Sequence, residues 1–210
     1  VTQGRNVLTV TGARVIMELQ GISCLSLSLI APQRKGMAVT RTFGEAVTEW
    51  AELAQAVSTY ATRAGEMLRQ HGLLACSMTV FLQTNRFVPG EFYSNAAKFG
   101  LEPTQDSLSL IRDALRGVQS IFRQGYRYWK VGVMLNELID ATTAPVQMFP
   151  TRDPVKSARL MAAMDNVNGR FGRGVVRPAV SGVDRRWTAK AEFLSPRYTT
   201  RLEELVAVQA

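Results

Sequence analysis

The sequence is poor in the side chains that most small enzymes depend on. Among 210 residues it has one histidine, His71, and two cysteines, Cys24 and Cys76. A Ser-His-Asp arrangement would rest on that single imidazole. His71 stands in "RQHGLL", where Gly72 marks a helix C-terminus, and a histidine capping such an end suits the macrodipole without any chemistry. The His and Cys spacing fits no zinc pattern. Two cysteines in apolar stretches read as buried free thiols in a reducing compartment. "NGRFGRGVVRP" is rich in glycine but lacks the Gly-Lys-Ser/Thr ending of a phosphate loop. No apolar run reaches the ~18 residues that cross a bilayer, and no signal peptide is visible. No paired carboxylates stand at a plausible site for acid–base work. The chain opens in what reads as the interior of a structured protein, so a fragment of a longer chain is expected.

Positive charge, by contrast, is plentiful. The net charge is +8 and the isoelectric point about 10.0. That balance points to a polyanionic partner, nucleic acid first and a membrane surface second. With 46% hydrophobic residues, the chain can bury the core of one or two domains.

Residues 5 to 20 read as an amphipathic helix that stops at Gly21. "CLSLSLIAPQRKG" reads as a basic linker. The stretch from Met37 to Asp140 carries the strongest periodicities. "MAVTRTFG" alternates as a strand, with Met37, Val39, Arg41 and Phe43 on one face and Ala38, Thr40 and Thr42 on the other. Arg41 therefore falls on the apolar side. It must snorkel out at a sheet edge or be turned by a bulge near Gly44. Residues 46 to 70 follow as a helix. Residues 73 to 84 form a strand with apolar even positions, and its odd positions are small or polar except Phe81. "SNAAKFGLEPT" holds a weak strand. "PTQDSLSLIRDALRGVQSIF" is a helix capped by Thr104 or Asp106. "YRYWKVGVMLNELID" is a strand with Val131, Val133 and Leu135 on one face, and Tyr128, Lys130, Gly132, Met134 and Asn136 on the other.

The order β-α-β-β-α-β predicts an α+β fold, the split βαβ or ferredoxin-like sheet, with both helices on one face. The opposite face would be open, small and polar. Such a face admits another body close to the backbone. Strand amides and a few cations could then grip phosphates without reading bases. A solvated sheet with no ligand has the same pattern.

"TRTFGEAV" followed by a long helix resembles the first strand of the little-finger domain of Y-family translesion DNA polymerases. The stretch from "PTQDSLSLIRDALRG" to "WKVGVMLNEL", and the tail "RRWTAKAEFLSPRYTTRLEEL", resemble the UmuC-type branch, the catalytic subunits of DNA polymerase V. The resemblance runs over nearly the whole chain. It implies that residues 1–30 end the thumb, 31–140 form the little finger, 141–155 a linker, and 156–210 a small α+β C-terminal domain. It also implies that the palm carboxylates lie upstream of Val1. No Mg²⁺ or other cofactor is then expected in this chain, which should bind DNA without polymerising it. Arg41, Thr40, Thr42, Thr79, Gln83, Arg127 and Lys130 are the candidates for the duplex face.

The same resemblance implies a sliding clamp, a UmuD′-like dimer and a RecA filament as partners. It places the protein in SOS damage tolerance in the bacterial cytoplasm, beside the nucleoid and away from membranes. "PVQMF" resembles the end of the family's clamp-binding peptide, through Val146, Gln147, Met148 and Phe149, although Pro145 stands where the leading Gln belongs. Two large apolar anchors in a polar linker suit a docking peptide, and equally a linker fastened to the sheet. Trp187, in the basic "GVDRRWTAKAEF", is read as the anchor of a small core, with a base or partner stack as the other use. Two rival functions stand beside DNA binding: a protein-interaction module using the open sheet, and a small enzyme.

Overall fold

A computed structural model describes residues 2–25, 27, 33–88, 92–145, 151–190 and 194–205. The chain forms two compact units, Val1–Arg34 and Lys35–Ala210. The first holds α1 (Thr2–Leu19), which is kinked at Thr9, where φ is 64°. After the helix, the Cys24 thiol donates to the Arg14 carbonyl at 3.5 Å and ties the turn back.

The second unit is built on one four-stranded antiparallel sheet. Its elements are β1 (Gly36–Val47), α2 (Trp50–Gln70), β2 (Leu73–Thr84), β3 (Ser94–Thr104), α3 (Ser107–Ile121), β4 (Tyr128–Asp140) and α4 (Pro154–Phe171). The strand order is β1-β4-β2-β3. The β1-α2-β2 crossover passes over β4, and β3-α3-β4 passes over β2. Two split βαβ units therefore interleave, and the fold is the α+β sheet the periodicities predict. Each helix has one apolar stripe, so both bury it against the same sheet face. From α2 come Leu53, Val57, Tyr60, Ala64 and Leu68, and from α3 Leu110, Ile111, Ala114 and Val118. They meet Met78, Val80, Leu82, Val131, Val133 and Leu135, each 0% exposed. Gly117 lets α3 press onto the sheet, since a Cβ there would lie 2.5 Å from the Phe99 ring and 2.8 Å from Val80.

Four sequence expectations need adjusting. The second helix begins at Trp50 and not at 46, because Val47 still pairs with Tyr128 and is 2% exposed. "SNAAKFGLEPT" is a full edge strand, held along its length by β2. The burial alternation of β2 slips by one: Leu73, Ala75 and Ser77 are buried, then Met78, Val80 and Leu82, while Leu74 and Cys76 are half-exposed. Tyr128 belongs to the core and not to the open face, because the β2–β4 register shifts by one between Gln83 and Thr84. Its hydroxyl accepts from the Arg123 N–H at 2.8 Å and donates to the Arg123 carbonyl at 3.0 Å. Asp106 is the N-cap of α3, accepting from Ser109 N–H at 2.8 Å. His71 stands at the C-cap of α2, followed by Gly72 at φ 64°. Both cysteines are free and half-buried.

The tail packs on the sheet unit. Asp153 caps α4 and Pro154 opens it. Arg69 of α2 grips Asp165 of α4 with two bonds, at 2.6 and 2.8 Å, and also donates to the Gln105 carbonyl at 2.7 Å. Met161 is 2% exposed and lies against the start of α3. Beyond α4 the described residues of the tail form turns and two short 3₁₀ segments but no strand, so the strands of the fold all belong to the 36–140 sheet. Trp187 inserts into the main core, edge-on to Phe43 and Tyr60 with ring centroids 6.3 and 5.7 Å away. It anchors the sheet's core and not a separate one.

Candidate nucleic-acid interface

The sheet face away from the helices is defined by the register. Thr42, Lys130, Gln83 and Ser94 form one row across β1, β4, β2 and β3. Thr40, Gly132, Phe81 and Ala96 form the next, and Ala38, Met134, Thr79 and Lys98 the third. Alternation sets these positions opposite the core residues Val131, Val133, Val80 and Leu82. The face is accordingly small and polar, with cations at intervals.

Five of the predicted residues share this face. Thr42, Lys130 and Gln83 stand side by side, Thr40 is one row on and Thr79 two rows on. Thr79 is engaged by Asn136, whose side-chain amide donates to its hydroxyl at 3.3 Å. Arg127 is exposed just before β4 begins, beyond the Lys130 end of the sheet. Arg41 is separated from them. It stands opposite Val131 on the helix-side parity, at the outer edge of β1, and is exposed. Its charge acts on Tyr60 of α2: burial pushes the Tyr60 phenol up to about 12, and Arg41 pulls it the other way. Arg41 thus snorkels at the edge. The register slip of β1 comes later, between Thr42 and Val47. Val146, Gln147, Met148 and Phe149 lie outside the described residues.

Charge pairing sorts the cations. Lys98 lies 3.7 Å from Glu137, both exposed. Among the described residues, Arg41, Arg127 and Lys130 have no carboxylate partner within ion-pair distance. Their charges are left for solvent or for a polyanion.

Backbone donors are fewer than the alternation alone promises. β2 and β4 are the inner strands, so their amides are bonded into ladders on both sides. At the three rows of this face, the strand edges without a neighbouring strand are the outer edges of β1 and β3. Part of the β1 edge is covered: Gly44 N–H donates to the Trp187 carbonyl at 3.3 Å. A Cβ on Gly44 would lie 2.5 Å from the Thr188 carbonyl oxygen. Phosphate contact on the face itself must come from side chains.

Sequence reasoning did not place Phe81 among the site residues. It occupies the centre of the open face, directly opposite Gly132. Alternation marks its side as polar, but the glycine that seats it is visible only once the β2–β4 register is known.

A second concavity, about 630 Å³, lies where α4 meets the start of α3. Its charged walls are paired with each other: Arg69 with Asp165, Arg152 with Asp106, Arg112 with Asp113. It is a joint between elements and offers little net charge to a polyanion.

Comparison with known proteins agrees with this layout. Residues 34–148 match the impB/mucB/samB family C-terminal domain, and residues 158–208 match a domain of unknown function, DUF4113. The chain is 39% identical to the protein UmuC of Salmonella typhimurium over 93% of its own length and 47% of that protein's. It is 38% identical to ImpB of Salmonella typhimurium over 91% of its length and 46% of that protein's. MucB of Escherichia coli is 34% identical over 89% of the chain and 44% of its own length. The chain thus spans about half the length of the curated relatives it matches.

Proposed function

The chain belongs to the UmuC, ImpB, MucB and SamB family, and from that premise we propose that its sheet unit holds template-primer duplex DNA for an error-prone translesion polymerase in the SOS response. The grip is on the backbone and is independent of sequence. The observation that carries this reading is the row Thr42–Lys130–Gln83 on a sheet face away from the helices, with no carboxylate partner for Lys130 among the described residues, in a chain of net charge +8. Hydroxyls and an amide bond phosphate oxygens, Lys130 and Arg127 add charge, and Arg41 reaches the same strand from the edge. No base edge needs to be read. An enzyme that must accept a distorted template gains from that indifference.

The linker residues Val146, Gln147, Met148 and Phe149 are proposed, on their sequence alone, as the docking peptide for a sliding clamp. The basic tail is assigned to a UmuD′-like dimer and a RecA filament by family resemblance. Nucleotide transfer, with its Mg²⁺, is assigned to the part of the relatives that this chain does not span.

Binding of the chain to a fluorescent primer-template, with two unrelated sequences and rising salt, tests the proposal. Three phosphate contacts, from Arg41, Arg127 and Lys130, give a log–log salt slope of about −3. Equal affinities for the two sequences with that slope are expected. Strong sequence preference would overturn the backbone grip, and no binding at low salt would overturn DNA binding and favour a protein-interaction role for the open face.

A further inference from the structure

The middle row of the open sheet carries no charge. Phe81 of β2 and Gly132 of β4 are direct register partners. A Cβ on Gly132 would lie 2.3 and 2.6 Å from Phe81 Cε1 and Cζ, and 2.6 Å from Thr40 Cγ2. The ring therefore reaches sideways from its own strand and lies over the backbone of the next, with Thr40 at its far side. It is the only aromatic in the three rows of this face, and it is half-buried. The Lys130 ammonium stands 5.9 Å from its centroid. The helix-side core is filled from the opposite parity, by Val80 and Leu82, and does not use this ring.

We propose that Phe81 is a contact residue for duplex DNA, a platform for the apolar faces of deoxyribose and base edges set beside a phosphate-seeking lysine. This deepens the backbone-gripping reading and rests on it. The occupant follows from the charge and shape of the patch. An aromatic flanked by an unpaired cation, small hydroxyls and a glycine fits a surface that alternates anionic phosphates with apolar sugar carbons. An acidic protein surface would offer carboxylates to Lys130 but no regular apolar strip for the ring. The consequence is a division of labour. Lys130 supplies affinity that falls with salt through counterion release. Phe81 supplies affinity that comes from apolar burial and is nearly indifferent to salt.

The test uses the full 210-residue chain and a labelled duplex titrated at four salt concentrations. Phe81→Ala should weaken binding about five- to tenfold at every salt, the effect of leaving some tens of Å² of apolar surface wet, with the salt slope unchanged. Lys130→Gln should instead lower the slope by about 0.9. Phe81→Leu refills the Gly132 notch without a planar ring. Should Phe81→Ala fail to fold, the leucine variant carries the test, with the same direction and a smaller loss. Wild-type binding with an affinity untouched by either Phe81 variant would overturn the assignment and leave the ring as packing over a glycine. A slope change in the Phe81 variants matching that of Lys130→Gln would overturn it as well. Failure of the wild type to bind duplex at low salt would overturn both this inference and the reading beneath it.

Discussion

Trp187→Ala measures how firmly the C-terminal segment is fastened to the sheet unit. The indole is 5% exposed and packs edge-on against Phe43 of β1 and Tyr60 of α2. Truncating a buried tryptophan costs roughly 3–5 kcal/mol. One feature offsets part of this. The indole N–H is buried without a hydrogen-bond partner among the described residues, a condition that costs about 1–3 kcal/mol in the parent and disappears in the variant. The midpoints of the two ranges leave a net loss of about 2 kcal/mol. For a chain of this size that corresponds to a fall in Tm of about 4–8 °C. Trp187→Phe keeps an aromatic edge between the same two rings and discards the unpartnered N–H, so it should stay within about 1 kcal/mol of the parent. Urea denaturation followed by far-ultraviolet circular dichroism reads both, without relying on the fluorescence of the residue removed. If Trp187→Ala costs less than about 1 kcal/mol, or Trp187→Phe is as damaging, the indole is not the fastening described above.

Arg69→Ala should destabilise the chain by about 2–3 kcal/mol, because it strands the Asp165 carboxylate and the Gln105 carbonyl together. Asp165→Asn should cost less, and a double-mutant cycle would return the coupling. Asp106 supplies a pH dependence. Burial alone would raise its pKa, but the hydrogen bonds from Ser157 and the Ser109 amide and the charge of Arg152 outweigh that, and the carboxyl sits below its ordinary value. A depressed folded pKa contributes stability that is complete above the unfolded value, near ~3.9, and lost as pH falls through the folded one. Acid denaturation of the parent should steepen in that window, and Asp106→Asn should flatten it at the expense of stability at neutral pH. Joint Met148→Ala and Phe149→Ala substitution should abolish retention on an immobilised sliding clamp while leaving duplex affinity as it was. Retained clamp binding would remove those residues from the proposal.

The elements were legible because their patterns are strong. α3 has five apolar residues on one stripe and an aspartate at its cap, and the inner strands are runs of Val, Leu and Met. What escaped the sequence was set by pairing between distant strands. Nothing local says that Tyr128 turns inward, because the cause is a one-residue slip against Thr84. Nothing local says that Phe81 needs Gly132, fifty-one positions away. The small polar face was visible, and with it Thr40, Thr42, Gln83 and Lys130. Arg41 is the informative case: alternation puts it on the core parity and leaves a sheet edge or a bulge as its way out, and only the strand order shows that β1 is an edge.

That edge also explains why the tail and the sheet form one unit. An outer strand with free amides is a template for pairing with other chains. β1 escapes this in part because the segment after Trp187 runs along it, with Gly44 leaving room for the Thr188 carbonyl. Lys190 then pairs with Glu45 at 2.8 Å. Both are exposed and the pair contributes little energy, but it fixes the segment's direction along the strand. Among the described residues, the tail covers the edge of β1, the C-terminal end of α2 and the start of α3, and these bonds fall away from the rows that carry Lys130 and Phe81. Among the described residues this face is left open, and it is the face that the proposed duplex contact uses. The same arrangement predicts a specific failure: Gly44→Val, whose side chain would collide with the Thr188 carbonyl, should release the tail from the edge and expose it to limited proteolysis near Trp187, while the duplex face keeps its affinity. Protection of that site in the variant would mean that the packing of Trp187 holds the segment without the Gly44 contact.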